Sequence, residues 1–232
     1  MLFPLVYQSI FVEICYIHNM KEATSKEKVL KRIRQALIYK TDYKFADIDL
    51  DTNVYAQSGE DPAVQFAQAF SEVNGKFVYN ENEAALETNL KALLSRYGMV
   101  FCFEKSLQRI LGNSEIAFES NDVRLKEMEV SVTSCEALIA RTGSVVITSG
   151  TNSGRRMSVY APVHIVIAYT YQLFPEIKDA LATIRTKYNG SMPSLISLTT
   201  GPSRTSDIEK TLVLGAHGPK EMFVFLLEKS GE

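Results

Sequence analysis

The chain has 232 residues, of which 46% are hydrophobic and 22% charged, and its formal net charge is −2. This composition excludes disordered, collagen-like and disulfide-scaffold proteins, and the length allows one large domain with a sizeable core. The balance of 25 Lys+Arg against 27 Asp+Glu argues against a nucleic-acid partner, because such proteins show a basic excess.

Cysteine and histidine are sparse and scattered along the chain, at Cys15, Cys102, Cys135, His18, His164 and His217. They form no C-x-x-C pair and no H-x-x-x-H pair, so we predict that this chain holds no metal and no cofactor. An odd, sparse cysteine count also favours a reducing compartment. We therefore expect a cytoplasmic protein.

The first nineteen residues differ in character from the rest of the chain. Residues 2–17 are mostly apolar, but the first basic residue is Lys21, so they lack the basic start of a signal peptide. The apolar run is also shorter than the ~20 residues that a membrane helix needs. We interpret Met20 as the native start and 1–19 as a leader. The alternatives are a peripheral membrane anchor and an additional packed helix. We expect contact with a membrane only if 1–19 are a native anchor.

The N-terminal part is predicted to be rich in helices. Thr24-Ser-Lys-Glu27 forms a capping-box pattern, and Asp61-Pro62 offers an N-cap followed by proline at the first helical position. Apolar spacing then predicts helices over 25–39, 61–73 and 86–97, a loop over 40–60, and strands over 76–79 and 99–103. We predict one domain over 20–232, with a helix-rich part at 25–98 and an α/β core at 99–232.

The α/β core is predicted to contain two adjacent strands that pair with each other. Ser144–Thr148 and Met157–Ala168 are rich in β-formers and are separated by a Gly/Ser/Thr stretch, which predicts an antiparallel hairpin. A helix from Pro175 to Tyr188 and strands over 195–198 and 222–227 follow. Strands that alternate with helices indicate parallel crossovers. The predicted fold class is α/β: a mixed, mainly parallel sheet with flanking helices and an antiparallel hairpin.

The loop after strand 195–198 has the features of an anion site. Gly201-Pro202 is followed by Ser206-x-x-Glu209, a capping box that predicts a new helix up to Gly215. A strand, a glycine turn and a helix N-terminus attract anions, and Arg204 offers a bidentate grip on a carboxylate or phosphate. The alternative is a capped junction with a surface arginine.

Two further loops carry candidate site residues. Gly215-Ala-His217-Gly218 places a histidine between two glycines, where it is a candidate proton donor or base; the alternative is a helix C-terminal turn. Thr142-Gly143-Ser144 lies opposite Arg155-Arg156 across the predicted hairpin, so these residues are candidates for lining an anion pocket. The alternative there is a tight turn with a solvated basic pair.

Three stretches resemble the LUD (lactate utilization) domain family and, within it, the group known as lactate utilization protein C. The longest is TGPSRTSDIEKTLVLGAHGPKEMFVFLL at 200–227, followed by EALIARTGSVVITSG at 136–150 and RRMSVYAPVHIVIA at 155–168. The chain departs from the family at Ser134-Cys135-Glu136, where Gly-Cys-Asp is common, and 1–19 has no counterpart in it.

The resemblance implies a fold like that of sugar-phosphate isomerases and CoA transferases, and a role in a system that oxidises L-lactate to pyruvate. It places iron–sulfur clusters on partner proteins. Positions that match the family or lie beside those matches are candidates for binding a small carboxylate or phosphate: Thr142, Gly143, Ser144, Arg155, Arg156, Gly201, Ser203, Arg204, Thr205, Asp207, Glu209, Gly215, His217 and Gly218.

Three functions remain open from the sequence. The first is an accessory subunit of the lactate-oxidising system, with a small-anion site. The second is an independent enzyme acting on a phosphorylated or CoA-linked small molecule, for which Glu136 or Glu209 would have to serve as the catalytic carboxylate. The third is a scaffold without a ligand. The candidate catalytic residue is His217, and the sequence shows no clear nucleophile–base pair.

Overall fold

A computed structural model of the chain describes residues 24–38, 59–205 and 213–229. Its contacts divide the chain into two units, Met1–Gln57 and Ser58–Glu232. In the first unit, α1 (Ser25–Ile38) confirms the predicted helix. Its capping box is formed, since the Thr24 N–H donates to Glu27 Oε2 at 2.7 Å and the Glu27 N–H donates to Thr24 Oγ1 at 3.3 Å. The predicted leader 1–19 and the predicted loop 40–60, except for its last two residues, lie outside the described residues.

The second unit is built around a parallel sheet of five strands. In the order in which they pair, these are β1 (Lys76–Asn80), β11 (Glu221–Leu227), β6 (Val163–Tyr169), β3 (Val130–Thr133) and β2 (Val100–Phe101). Every neighbouring pair is parallel. The predicted strands at 76–79, 99–103 and 222–227 are therefore confirmed, although the second is only two residues long.

Two helices cover one face of the parallel sheet, α3 (Glu83–Leu94) and α4 (Lys105–Asn113). Their buried leucines, among them Leu86, Leu90 and Leu107, pack on alternate residues of the strands. The start of α3 is fixed because the Asn82 side chain accepts a hydrogen bond from the Ala85 N–H at 2.9 Å.

A second, mixed sheet packs on the other face. Its strands pair in the order β7 (Leu173–Phe174), β4 (Ala137–Ile139), β5 (Ser144–Thr148) and β8 (Ile196–Thr199), and β5 is antiparallel to both of its neighbours. Two helices pack beside these sheets, α2 (Pro62–Glu72) and α6 (Ile177–Lys187).

Alternation along β4 explains how the mixed sheet is buried on both faces. Leu138 points to the core shared with the parallel sheet and with Phe66 and Phe70 of α2. Ala137 and Ile139 point the other way, against α6. The side-chain period of two therefore places consecutive residues in two separate cores.

The predicted pairing of 144–148 with 157–168 is wrong. Met157–Tyr160 forms a short helix, α5, and the strand begins only at Val163 in the parallel sheet. The antiparallel neighbours of β5 are instead β4, which makes a hairpin with it, and β8. The mixed, mainly parallel fold class is confirmed, with its hairpin at a different place in the chain.

The loop region near the C-terminus also differs from the prediction. Arg204–Thr205 (β9) and Val213–Leu214 (β10) pair as a short antiparallel ribbon. The backbone before Gly215 is thus a strand, so the predicted helix does not reach that glycine. The capping box Ser206–Glu209, with the candidate residues Asp207 and Glu209, lies outside the described residues.

Candidate functional site

The structure brings two of the predicted loops together because β5 and β8 are antiparallel neighbours. Val145 is paired with Thr199, which places the start of β5 beside the end of β8. The buried Ser144 Oγ lies 2.7 Å from Thr142 Oγ1 and 2.7 Å from Thr200 Oγ1. These hydroxyls form a chain that joins the two loops.

Two glycines in these loops pack against the end of α2. Gly143 has φ +58°, and a Cβ added there would lie 2.4 Å from the Phe70 backbone nitrogen. Gly201 has φ +78°, and its Cβ would lie 2.7 Å from the Val73 carbonyl oxygen. Both the positive φ and the close approach of backbone require glycine at these positions.

The loop around His217 is bonded to the same region. The Ser203 N–H donates to the Pro219 carbonyl at 2.9 Å, and the Gly215 N–H donates to the Ser203 carbonyl at 3.0 Å. Gly218 faces Ser203, since a Cβ at 218 would lie 3.1 Å from that of Ser203. We name the assembly of residues 142–144, 200–204 and 215–219 the glycine cluster.

Arg204 and His217 are both exposed within the glycine cluster. An Arg204 N–H donates to the Val73 carbonyl, at the C-terminal end of α2. Thr205 follows in β9. An anion site on Ser203 and Arg204, and a catalytic role for His217, stay predictions.

The contacts of the loop at 200–204 locate the glycine cluster relative to the two sheets. The loop does follow the carboxyl end of β8, but β8 belongs to the mixed sheet. Pro219 and Val73, which contact the loop, lie just before β11 and β1. The glycine cluster therefore adjoins the amino ends of the parallel strands, whereas ligands of open α/β sheets bind at the carboxyl ends.

The two arginines predicted to face residues 142–144 have partners elsewhere. Arg155 donates to Ser194 Oγ at 2.7 Å, and Arg156 donates to Asp122 Oδ2 at 3.1 Å. Since the hairpin that would have aligned them is not formed, nothing in the structure places either arginine beside the glycine cluster.

A second polar assembly lies at the carboxyl ends of β2 and β3. Glu104 is almost fully buried and its carboxylate accepts the Ser134 N–H at 3.0 Å, together with the Ser134 and Ser153 hydroxyls. The neighbouring Glu136 is also buried. Its carboxylate receives donors from Lys187 Nζ at 2.6 Å, Tyr188 OH at 2.7 Å and Thr148 Oγ1 at 3.1 Å.

We name this assembly the carboxylate cluster; it consists of Glu104, Ser134, Glu136, Thr148, Ser153, Lys187 and Tyr188. Burial alone would raise the pKa of Glu136, but the hydrogen bonds from Lys187, Tyr188 and Thr148 outweigh it, and the net pKa lies below its ordinary value. Glu136 is thus held as a carboxylate although its side chain is almost fully buried.

The described cysteines adjoin this assembly as buried thiols. Burial raises the pKa of Cys102 to about 12, and burial next to Glu136 raises that of Cys135 as well. A thiol with a raised pKa is a poor nucleophile and a poor metal ligand. Among the described residues, no group of three His, Cys, Asp or Glu side chains is placed to hold a metal ion.

A buried histidine lies on the parallel sheet and contacts Thr133, the residue before Ser134 of the carboxylate cluster. His164 Nε2 lies 2.9 Å from Thr133 Oγ1, and His164 is paired in register with Ser131. Of the buried side-chain polar atoms described, His164 Nδ1 and Ser131 Oγ have no hydrogen-bond partner. Burial lowers the pKa of His164 to about 4, so the ring is neutral at pH 7.

One sequence signal would have pointed to the carboxylate cluster. Glu104 and Glu136 each come within three residues of the end of an apolar strand, β2 or β3. Carboxyl ends of parallel strands meet at one edge of a sheet. Only Glu136 of the carboxylate cluster was a candidate from the sequence. The candidates did not include Glu104, Ser153, Lys187 or Tyr188.

Comparison with known proteins identifies the family. The sequence profile of the LUD domain matches residues 102–227, more than half of the chain. The chain belongs to the LUD domain family. The match covers every residue of both the glycine cluster and the carboxylate cluster.

Several curated relatives match part of the chain. Lactate utilization protein C of Bacillus licheniformis is 33% identical over 114 residues, which are 48% of each chain. Lactate utilization protein C of Bacillus subtilis is 36% identical over 103 residues, 44% of this chain and 43% of the relative. An uncharacterized protein of Neisseria meningitidis is 36% identical over 89 residues, 38% of each. This chain thus spans less than half the length of these relatives.

A solved structure supports the fold. The crystal structure of a DUF162 family protein from Deinococcus radiodurans is 15% identical, with a TM-score of 0.55. The similarity covers 74% of this chain and 99% of that one. Within the described residues, no helix has the length and apolarity required to cross a bilayer.

Proposed function

We propose that this chain is a component of a lactate-utilization system. The observation that carries the proposal is the LUD domain match over residues 102–227, joined by relatives at 33% and 36% identity that are named lactate utilization protein C. In this proposal the system oxidises L-lactate to pyruvate in the cytoplasm. Partner proteins carry the iron–sulfur clusters, and this chain is an accessory subunit.

The proposed contribution of this chain is a small-anion site on the glycine cluster. The exposed Arg204 supplies a guanidinium, which suits a carboxylate or a phosphate, and Ser203 and the exposed His217 lie on the two loops bonded to each other there. Lactate and pyruvate both carry the carboxylate that such a site would hold.

Deletion of the gene in its own organism tests the role in the system. The strain is expected to lose growth on lactate as the carbon source and to keep growth on glucose, with lactate growth restored by the wild-type gene. The tagged protein is expected to co-purify with cysteine-rich partners. Unchanged growth on lactate together with no co-purified partner would rule the proposal out.

Calorimetric titration of the purified chain with pyruvate tests the anion site separately. We expect the Arg204→Ala variant to bind pyruvate about tenfold more weakly, because a charge-assisted bidentate contact is lost. Arg96 is an exposed arginine outside the glycine cluster, and Arg96→Ala serves as the control. Equal affinities of the two variants would argue against a site at Arg204.

A second candidate function is an enzyme that acts on a phosphorylated or CoA-linked small molecule. The observation that favours it is the carboxylate cluster, since Glu104 and Glu136 lie at the carboxyl edge where α/β sheets bind ligands. Turnover by the purified chain alone, lost in a folded Glu136→Gln variant, would support this function. Absence of turnover would leave the accessory role.

A further inference from the structure

A cavity of about 660 Å³ opens beside the edge of the parallel sheet, away from the residues assigned to the proposed anion site. Its volume lies in the range of small-molecule sites. Tyr79 near the end of β1, Thr170 just after β6 and Glu228 just after β11 all line it. The cavity therefore lies at the carboxyl ends of three neighbouring parallel strands, the edge at which such sheets bind ligands.

The walls of the cavity are mainly apolar and aromatic. Phe77 and Tyr79 are two residues apart on β1 and so face the same side of the strand. Val64 and Ala67 line the facing side of α2, and Leu173 lines the wall as well. Val64 is 50% exposed and Tyr79 is 43% exposed, so apolar surface is left open to solvent inside a concave site.

The charged residues that line the cavity are all acidic. Asp61 and Glu228 supply two carboxyl groups, and none of the described lining residues is Lys, Arg or His. The nearby ammonium of Lys229 lies over the ring of Tyr169, 5.7 Å from its centroid. An anionic ligand would meet no opposite charge among these lining groups.

The backbone N–H groups at the start of α2 do not offset this negative charge. Asp61 accepts hydrogen bonds from the Ala63 N–H at 2.8 Å and the Val64 N–H at 3.4 Å. Its own carboxylate thus occupies N–H groups that would otherwise attract an anion at a helix N-terminus. At the opposite wall, Glu228 accepts the Tyr79 hydroxyl and presents its carboxylate beside an aromatic ring.

We infer that this cavity binds an organic cation, a protonated amine carried on an aromatic body. The amine would be held by the carboxylates of Asp61 and Glu228, and the ring would lie against Phe77 and Tyr79, with the cation also attracted to the aromatic faces. The inference is independent of the proposed function, because lactate, pyruvate and phosphate are anions that this lining disfavours.

Three probes with the same phenyl body and different charge test the ligand class. The full chain is titrated at pH 7 with phenethylamine, phenethyl alcohol and hydrocinnamate, followed by ligand-observed NMR. Phenethylamine is expected to bind about tenfold more tightly than hydrocinnamate, with the alcohol between them. Equal or tighter binding of hydrocinnamate would overturn the inference, as would the absence of binding by all three.

Two variants place the binding in this cavity. Glu228→Gln keeps an acceptor for Tyr79 but removes one charge, and we expect about threefold weaker phenethylamine binding. Ala67→Phe fills the cavity and is expected to abolish binding. The matched controls are Glu72→Gln, an exposed acid at the other end of α2, and Ala84→Phe, an exposed alanine on α3. Unchanged binding in folded Ala67→Phe, or an equal loss in the controls, would overturn the assignment.

Discussion

The glycine cluster and the carboxylate cluster lie at opposite ends of one strand and hold together in different ways. Strand β5 begins at Ser144, in the glycine cluster, and ends at Thr148, in the carboxylate cluster. At the first end, close approach of backbone to backbone dominates, as at Gly143 and Gly201. At the second, buried carboxylates accept several donors each.

This difference shows that packing alone can require the glycines of a dense sequence motif. The glycines of the C-terminal motif are explained by packing, since Gly201 contacts Val73 and Gly218 contacts Ser203. A buried charged group, which is a feature of reactive sites, lies elsewhere: Glu136 is buried, and its exposed partner Lys187 comes from a separate stretch of the chain. Substitutions at each end of β5 test this difference.

The largest effect is expected in the glycine cluster, from Gly143→Ala. The new Cβ would lie 2.4 Å from the Phe70 nitrogen, and the residue would keep φ +58°. Strain and overlap with helix backbone together should lower the free energy of unfolding by about 4 kcal/mol, measured by urea denaturation. Gly154→Ala is the control: it has φ +59° with nothing within 4 Å, so we expect a loss of only about 1 kcal/mol. Equal losses of stability in the two variants would show that the contact with α2 does not explain why position 143 requires glycine.

The next effect concerns His164, buried beside the carboxylate cluster. Its folded pKa of about 4 lies below the ordinary 6.5, so the unfolded chain binds a proton first as the pH falls. The stabilisation from neutral His164 is complete above pH 6.5 and is lost as the pH falls towards 4, by about 3 kcal/mol. In His164→Gln this part of the pH dependence of unfolding should disappear.

The matched control for that measurement is in the glycine cluster. His217 is exposed, so His217→Gln replaces a histidine outside the core and should keep the loss of stability below pH 6.5 that is assigned to His164. If His164→Gln and His217→Gln gave the same profile, the contrast between the two regions in burial would not hold in solution.

Local signals in the sequence were enough for most helices and strands. Helix α1 begins at a formed capping box, and α2 follows the Asp61 cap, because both depend on residues within one turn. One of the two partners of β5, the strand β8, was not predictable in this way. Ser144–Thr148 pairs with Ile196–Thr199, which lies about fifty residues further along the chain. The residues at Met157–Tyr160 favour a strand by their type, but they form a helix because Met157 packs in the core.

The two clusters differ in the same way in how far they could be predicted from the sequence. The glycine cluster was visible because its residues are consecutive within each loop, and the structure shows which loops meet. The carboxylate cluster joins Glu104 to Ser134 across 30 positions and Glu136 to Lys187 across 51. No local pattern links such residues, since their proximity is set by the crossovers between strands.

The smallest of the three effects is expected at Glu136, the best-connected group of the carboxylate cluster. Glu136→Gln keeps acceptors for Tyr188 and Thr148 but loses the charged contact with Lys187, which should cost about 2 kcal/mol at pH 7. Because the folded pKa of Glu136 lies below its ordinary 4.5, this stabilisation is complete above that value and is lost as the pH falls below it. The two proteins should therefore converge in free energy of unfolding in acid.

An exposed pair of the same chemistry separates burial from charge. Glu115 accepts from Lys91 Nζ at 2.8 Å, but both side chains are largely exposed. Solvent screens such a pair, so Glu115→Gln should leave the urea midpoint unchanged at pH 7. A loss at Glu115 as large as that at Glu136 would mean that a Lys–Glu contact alone, without burial, accounts for the stability of the carboxylate cluster. The expected difference would instead assign that stability to the burial of the Glu136 carboxylate and to its further hydrogen bonds from Tyr188 and Thr148, whereas the glycine cluster contains no carboxylate side chain.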